Sequence, residues 1–559
     1  MDSTADDLRD SKRARLAPPP PGDVVDRISG LDDDVLLHIL SLVGDARDAV
    51  RTGALSRRWL GLWTRVPALR FASRSVSTAD LERFVSFVNG VLARRSQSDC
   101  AIESLAISYA ADNEHSSLGN RMPRFLCAWQ RVIPPPCTIY TDSARKLMVA
   151  SVDAVQGWIR YAVQHRVKSL DVDLSLPSAH RPKRWRDFVE KKPAVCLGDL
   201  PTSTSPVRLE TMRLALGGAG LRLSTTVKFA SLTVLSLENI EIPTGGVRHL
   251  VRFVSSASCP RLQKLSLKKI CLDVLDDELR LEAQVLSELV MEHVQPLVWL
   301  KLRTPKLRVL HIDQCSYELL SISAPRLEEV ALFFQPRESS SYRWLDVDGD
   351  LPCVRRVKLC LWSHRHRASR PGEAENDCSI LLLKHCSFLT CLDVTLEGQK
   401  ECELDVDMIK RRVPHLPQVT SLTINVSVMF VNKRHGFGAS VASLLTRFNN
   451  LRHLSLNLPF FVDLQQNNFL CDHPNHWINE FSMGHLQEAE LTGFAGTDCE
   501  LWFIKAMLAS AKRIHKVAIS FNPYYSLPQS KMDEFERLLL GSGGMWTSHR
   551  DTYTLTCIR

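Results

Sequence analysis

The pattern Leu-x-x-Leu-x-Leu, with other aliphatics allowed, starts at Leu209, Leu232, Leu262, Leu286, Leu307, Leu327 and Leu451. Looser copies start at Ile102, Val167, Val354, Leu389, Val419, Leu486 and Ile514. From Leu209 to Ile514 the intervals are 23, 30, 24, 21, 20, 27, 35, 30, 32, 35 and 28 residues. Recurrence at such intervals is the mark of a repeat architecture. The fourth and sixth residues of each copy point inward from a short strand, and neighbouring copies stack their apolar sides into one continuous core, so no copy is stable alone. In several copies Pro or Asn stands just before the motif (CPRLQKLSL, TPKLRVLHI, APRLEEVAL, FNNLRHLSL), where it ends the preceding element and opens the strand. Unrelated buried strands in an ordinary α/β domain are the competing reading, and they do not account for the period.

A second stretch, Ile28 to Phe71, lies outside the pattern. Val35, Leu36, Ile39, Leu40 and Val43 fall at helical spacing, and Asp32, Asp33 and Asp34 occupy the first turn, at the positive end of the helix dipole. Gly44-Asp45 signals a turn into a second short segment, Ala46 to Thr52. Ser56 is placed to cap a third, on which Trp59, Leu60 and Trp63 share a face. About 45 residues are too few to hide this much apolar surface, so part of the stripe is expected to meet another chain.

These residues resemble the plant F-box: Leu31, Leu36, Ile39 and Leu40, then Leu55-Ser56-Arg57-Arg58-Trp59, then Leu62-Trp63. The F-box usually opens with Leu-Pro, whereas Asp32 follows Leu31 here. An aspartate still caps a helix. The repeats resemble those of plant F-box proteins with degenerate leucine-rich repeats, because the ninth position is Cys315 and Asn522 in two copies and Ile240, Ile270, Val294, Trp362 or Phe494 elsewhere. Asp153 to Leu176, with Val155, Trp158, Ile159 and Ala162 on a helix that runs into a strand, and Leu491 to Ser520, which resembles the closing segment of the FBD-like group, extend the likeness. The resemblance implies a substrate-recognition adaptor of an SCF-type cullin-RING ubiquitin ligase. Leu31, Leu36, Ile39, Leu40, Leu55, Trp59 and Trp63 would bind the Skp adaptor, which brings the cullin and RING subunits, and the repeats would hold a protein target. The alternative is a non-catalytic repeat scaffold or sensor that delivers nothing for degradation.

The expected fold is α/β: a small all-helical module followed by an irregular leucine-rich-repeat solenoid with parallel strands. Residues 1–25 read as a disordered leader, 26–72 as the F-box, 73–100 as a connecting helix, 101–498 as the solenoid, and 499–559 as the last repeat and C-terminal cap. Within the connection, Thr78 to Arg95 carries Leu81, Phe84, Val85, Val88, Val91 and Leu92 at helical spacing. The helix from about Cys499 to Ser510 is expected to cover the open end of the solenoid. A net charge of +8 over 559 residues is too thin to argue for nucleic acid or a membrane surface. The acidic start is no secretory signal, and sixteen cysteines without CxxC pairs fit reduced thiols, so residence in nucleus or cytoplasm is expected. Lys12, Arg13 and Arg15 form a weak import patch.

No GxSxG, phosphate loop or HExxH is present, so neither catalysis nor a cofactor is expected. The best metal candidate, Cys471-Asp472-His473-Pro474-Asn475-His476, crowds three ligands into one loop and is read as no metal site. Ser363 to Arg370 reads as a solvated basic loop. In a leucine-rich solenoid the strands line the concave face, and the residues between the inward leucines point away from the core. The candidate target contacts on that face are Arg213, Glu238, Lys264, Lys268, Glu292, His311, Asp313, Phe333 and Lys358.

Overall fold

The computed structural model describes residues 30–73, 78–98, 100–110, 142–175, 193–199, 207–223, 228–272, 278–315, 317–333, 344–362, 377–397, 413–427, 438–459, 482–522, 529–541, 545–549 and 552–556. The leader 1–25, the Cys471–His476 loop and the Ser363–Arg370 loop lie outside them.

The chain opens with three short helices, α1 (Asp33–Leu42), α2 (Ala46–Arg51) and α3 (Arg57–Leu62). A 3-10 turn, Trp63–Arg65, leads straight into β1 (Ala68–Ser73). Helix α4 (Thr78–Arg95) follows as expected, then β2 (Ser104–Ala110), α5 (Asp142–Gln164) and β3 (Ser169–Ser175). The small strands β4 (Ala194–Cys196) and β6 (Gly220–Arg222) flank β5 (Thr211–Ala215). Next come β7 (Val234–Ile242), α6 (Gly246–Val254) and β8 (Lys264–Leu272).

From here the coils contain two strands each. β9 (Glu278–Glu282), β11 (Trp299–Arg303), β13 (Leu319–Ser323) and β15 (Trp344–Val347) alternate with β10 (Glu288–Glu292), β12 (Val309–Asp313), β14 (Glu329–Phe333) and β16 (Arg356–Trp362). Helices then return: α7 (Asp377–His385), β17 (Cys391–Glu397), β18 (Ser421–Val426), α8 (Gly438–Leu445), β19 (His453–Asn457), β20 (Glu488–Phe494), α9 (Asp498–Ser510) and β21 (Lys516–Phe521). The chain ends with α10 (Gln529–Leu540), β22 (Met545–His549) and β23 (Thr552–Thr556).

All fourteen motif copies lead into strands of one sheet, and each strand pairs in parallel with that of the next copy, motif position against motif position. Their fourth and sixth residues are at most 4% exposed. β1 adds a fifteenth copy, because Val66, Leu69 and Phe71 are buried and Ala68 to Ser73 pair with Ser104 to Tyr109. The sheet therefore begins inside the stretch assigned to the F-box. The copy escapes notice because Pro67-Ala68-Leu69-Arg70-Phe71 follows the helical pattern without a break.

Coil length decides what backs each main strand. A five-residue strand is roughly 17 Å long, and a helix needs about eleven residues to cover that length, whereas a second strand needs five. The intervals of 20 to 27 residues between Leu262 and Val354 leave no room for a helix, and there the second parallel sheet β9–β11–β13–β15 forms. α6 packs against β9 and α7 against β15, so helices and strands succeed one another in the same layer.

The eighth motif position explains the variable ninth. Asn239, Lys269, His293 and Gln314 have positive φ, 50–54°, as has Gly493 at 80°. A left-handed residue breaks strand alternation and turns the following side chain inward, which is how Ile240, Ile270, Val294, Cys315 and Phe494 become buried. A Cβ at Gly493 would lie 2.3 Å from the Leu458 carbonyl oxygen, so glycine is obligatory there. Where alternation continues, the eighth residue itself is apolar and buried, as with Leu361, Leu396, Val426 and Leu458.

The C-terminal edge departs from expectation. α9 lies between β20 and β21, within the array, and does not cover its end. β23 pairs with β21 antiparallel, and β22 with β23. Reversing strand direction ends a ladder that any further parallel repeat would extend.

Candidate functional site

Burial sorts the helical module's apolar residues into two sets. Leu36, Leu40 and Trp63 are 0–3% exposed and pack with Ala46, Ala49 and Leu62. Leu31 and Trp59 are half-buried against the same core. Ile39 and Leu55 stand 42% and 70% exposed, with Val35, Leu42 and Leu60 beside them in sequence. Leu36, Leu40 and Trp63 are thus corrected from adaptor contacts to core. An apolar stripe wide enough to pack inward and bind outward splits between the two, and spacing alone does not divide it.

The motif arginines fasten the module. Arg58 donates through Nε to Asp33 Oδ1 at 2.8 Å and through Nη2 to the Leu31 carbonyl, and Arg65 Nη1 donates to Asp33 Oδ2 at 3.2 Å. The hydrogen bond from Arg58 is the chief reason that the Asp33 carboxyl lies below its ordinary pKa. Asp32 has the extended backbone of an N-cap, but its side chain makes no capping bond. The entry that a proline would fix is instead held by this clamp.

The module is also fixed to the array. The buried Arg95 donates through Nη2 to the Val66 carbonyl at 3.0 Å, and Ser98 Oγ donates to the Thr64 carbonyl at 3.2 Å. Arg47 lies 5.3 Å and 5.5 Å from the ring centres of Phe84 and Phe87 on α4. Helices α4 and α5 are joined in turn by Trp158, whose indole N–H donates to Asn89 Oδ1 at 3.0 Å.

The candidate target residues do share the outward face of the main sheet, and most are paired there. Arg213 reaches Asp171 at 2.9 Å, Asp173 at 2.8 Å and Glu238 at 3.2 Å. Lys264 meets Glu288 at 2.6 Å and Lys268 meets Glu292 at 2.9 Å, across one strand pair. Lys358 and Arg356 share Glu329, each at 3.9 Å. In-register parallel strands place equal motif positions side by side, so like charges would repel, and the alternation of sign relieves this. His311 tilts toward Phe333, ring centres 6.1 Å apart. Burial pushes the Asp313 carboxyl up, opposed by His311 and His293.

A neutral row continues this face. Thr492 Oγ1 donates to Asn457 Oδ1 at 2.8 Å, Asn457 Nδ2 to Asn425 Oδ1 at 2.8 Å, and Asn425 Nδ2 to Asp393 Oδ1 at 2.7 Å. Sequence reasoning missed it, although the signal exists: Asn425, Asn457 and Thr492 are the seventh residues of three successive copies. Among the described residues no group of three His, Cys, Asp or Glu could hold a metal ion, and no helix is long and apolar enough to cross a membrane.

No family model matches the chain. It is 45% identical over 64 residues to an FBD-associated F-box protein of Arabidopsis thaliana, covering 11% of this chain and 14% of the relative. To an F-box/FBD/LRR-repeat protein of the same plant it is 26% identical over 352 residues, 61% of this chain and 57% of the relative. The chain thus spans less than two thirds of each of these two. To another FBD-associated F-box protein of Arabidopsis thaliana it is 22% identical over 500 residues, 85% of this chain and 92% of the relative. The chain is thus similar in sequence to plant F-box/FBD/LRR-repeat proteins, and a helical module followed by a parallel repeat sheet is compatible with that likeness.

Proposed function

We propose that this chain is the substrate-recognition adaptor of an SCF-type cullin-RING ubiquitin ligase, its helical module docking on a Skp-type adaptor and its strand face holding a target protein. One observation carries the reading. Five of the nine large apolar side chains exposed among the described residues are Val35, Ile39, Leu42, Leu55 and Leu60, all within the module. A small module that keeps so many aliphatics in water is built to lose them to a partner. The chain would perform no covalent step. Held rigidly against the module by Arg95, Ser98 and β1, the strand face would present a bound target at a set position, which raises the effective concentration of its lysines near the ligase. Residence in nucleus or cytoplasm belongs to the same reading.

Co-purification from plant cells tests it. The full chain is expected to retain the Skp and cullin subunits, and the double variant Ile39→Asp/Leu55→Asp to lose both. Retention of Skp without cullin would favour the scaffold or sensor, and retention of neither by the wild type would overturn the adaptor reading.

A further inference from the structure

The second sheet carries a surface that the reading above leaves unused. Its inward residues, among them Leu300, Leu320 and Leu345, are buried, and its outward positions alternate with them. Trp299, Leu319 and Trp344 stand in register on three adjacent strands, so the two indoles lie about 10 Å apart on one outward row. Trp299 is 43% exposed and Trp344 65%. The two indoles differ in company. Lys301 Nζ sits 5.3 Å from the Trp299 ring centre and pairs with Glu278 at 3.0 Å. Beside Trp344 there are carboxylates: among the described residues Asp346 and Asp348 accept only hydroxyl hydrogen bonds, from Ser321 and Ser323, each at 3.0 Å. No cation pairs with either among the described residues. The row thus repeats one recognition element twice, an indole face with a carboxylate close by, filled by the chain's own lysine at Trp299 and, among the described residues, unfilled at Trp344.

We propose that Trp344, Asp346 and Asp348 form a docking site for an extended segment of another protein carrying arginine or lysine at alternate positions. Charge complementarity selects that occupant. Asp346 and Asp348 are two residues apart on an extended chain, roughly 7 Å, the spacing of alternate side chains in a bound strand. A cation entering there has a carboxylate to pair with and an indole face to cover, as Lys301 does one recognition element away. The site lies on the layer opposite the main strand face, so it stands apart from the adaptor reading and does not depend on it.

The test uses the full chain and a fluorescein-labelled peptide of alternating arginine and serine, with a glutamate–serine peptide as control, read by fluorescence anisotropy. The arginine peptide is expected to bind, more weakly as salt is raised. Trp344→Ala and the double variant Asp346→Asn/Asp348→Asn are each expected to weaken it roughly tenfold or more. All three side chains are exposed, so unchanged thermal melts by circular dichroism will show that folding is intact. Equal affinity for the glutamate peptide, or wild-type affinity in Trp344→Ala, would overturn the proposal. So would binding that occurs only after Arg365, Arg367 and Arg370 are replaced by serine, because the face would then be filled from within this chain.

Discussion

Over residues 33–62 the chain leaves Val35, Ile39, Leu42, Leu55 and Leu60 in water, whereas along fifteen main-sheet strands the fourth and sixth motif residues are at most 4% exposed and the outward ones are mostly charges, hydroxyls and amides. The difference follows from what lies next to each element. Every strand of the array has a neighbour that continues its core, with the helical module packed before β1 and the antiparallel β23 and β22 added after β21. The three helices have the array on one side only. Among the described residues nothing covers their outer row, so the module offers exposed apolar side chains while the array presents already paired charges. Contacts of the first kind give affinity, and those of the second give discrimination.

Truncating the cores should cost the most, and should separate the two regions. Trp63→Ala is expected to lose about 4 kcal/mol and Leu310→Ala about 3 kcal/mol, the usual range for emptying a buried aromatic or leucine site. Stability in a repeat array is carried by nearest neighbours, so amide exchange should show Trp63→Ala opening α1 to α3 while β10, β12 and β14 stay protected, and Leu310→Ala doing the reverse. Simultaneous opening of both regions by either variant would show that module and array unfold as one unit.

The outer row should respond in binding and not in folding. Ile39→Asp/Leu55→Asp is expected to weaken adaptor binding by about 2 kcal/mol or more, roughly 30-fold, since desolvated apolar anchors carry most interface energy. The melting temperature should stay within about 2 °C, because neither residue belongs to the core. Calorimetric titration with a Skp-type adaptor and a thermal melt read the two effects separately. Loss of both together would return Ile39 and Leu55 to the core.

On the array, Arg213→Gln should produce a smaller effect of a different kind. Asp171, Asp173 and Glu238 would lose their shared cation. The arginine side chain is 36% exposed, so solvent screening limits the cost to about 1 kcal/mol. Melts at low and high salt check the cause: the deficit should shrink as salt screens the three acids from one another.

The parts legible in the sequence are those set by periodic burial. Fourteen strand starts, the helix Thr78–Arg95 and the inward set were readable because each inward side chain must be apolar whatever else varies. The fifteenth strand was hidden by its contact with the helical pattern, and the second sheet by the absence of a motif of its own. Residues 278–282 and 299–303 alternate apolar and polar like any strand, and only the shortness of the coils says that a strand must stand where others have a helix. The division of the module into Leu36, Leu40 and Trp63 inside and Ile39 and Leu55 outside was not legible, because both sets are aliphatic or aromatic at helical spacing. The pairing of Lys264 with Glu288 and of Lys268 with Glu292 needed the register, which the motif does supply once equal positions are known to lie side by side. Reversing Lys264 and Lys268 would therefore break two ion pairs as well as probe a target, and Gln at both positions is the variant that removes charge without adding repulsion.

The smallest effects should separate the two regions by the sign of their pH dependence. In the module, Asp33 has a folded-state pKa below its ordinary value, chiefly through the Arg58 hydrogen bond. Its contribution is present above the unfolded pKa, near 3.9, and is lost as pH falls through the folded value. In the array, Glu500 closes the capping box of α9, accepting from the backbone N–H groups of Thr497 at 2.9 Å and Ala495 at 3.0 Å, yet burial pushes its carboxyl up to about 7. Its folded state holds a proton that the unfolded chain has released, so its contribution is complete below about 4.5 and is lost as pH rises through about 7. The protection of the α1 amides, their exchange rate relative to the intrinsic rate at each pH, should therefore fall on acidification, and that of the α9 amides on passing from pH 5 to 8. Asp33→Asn should flatten the first trend only, and Glu500→Gln, which keeps an acceptor for the cap, the second only. A single slope shared by both helices, unaltered by either substitution, would mean that neither carboxyl governs its own region.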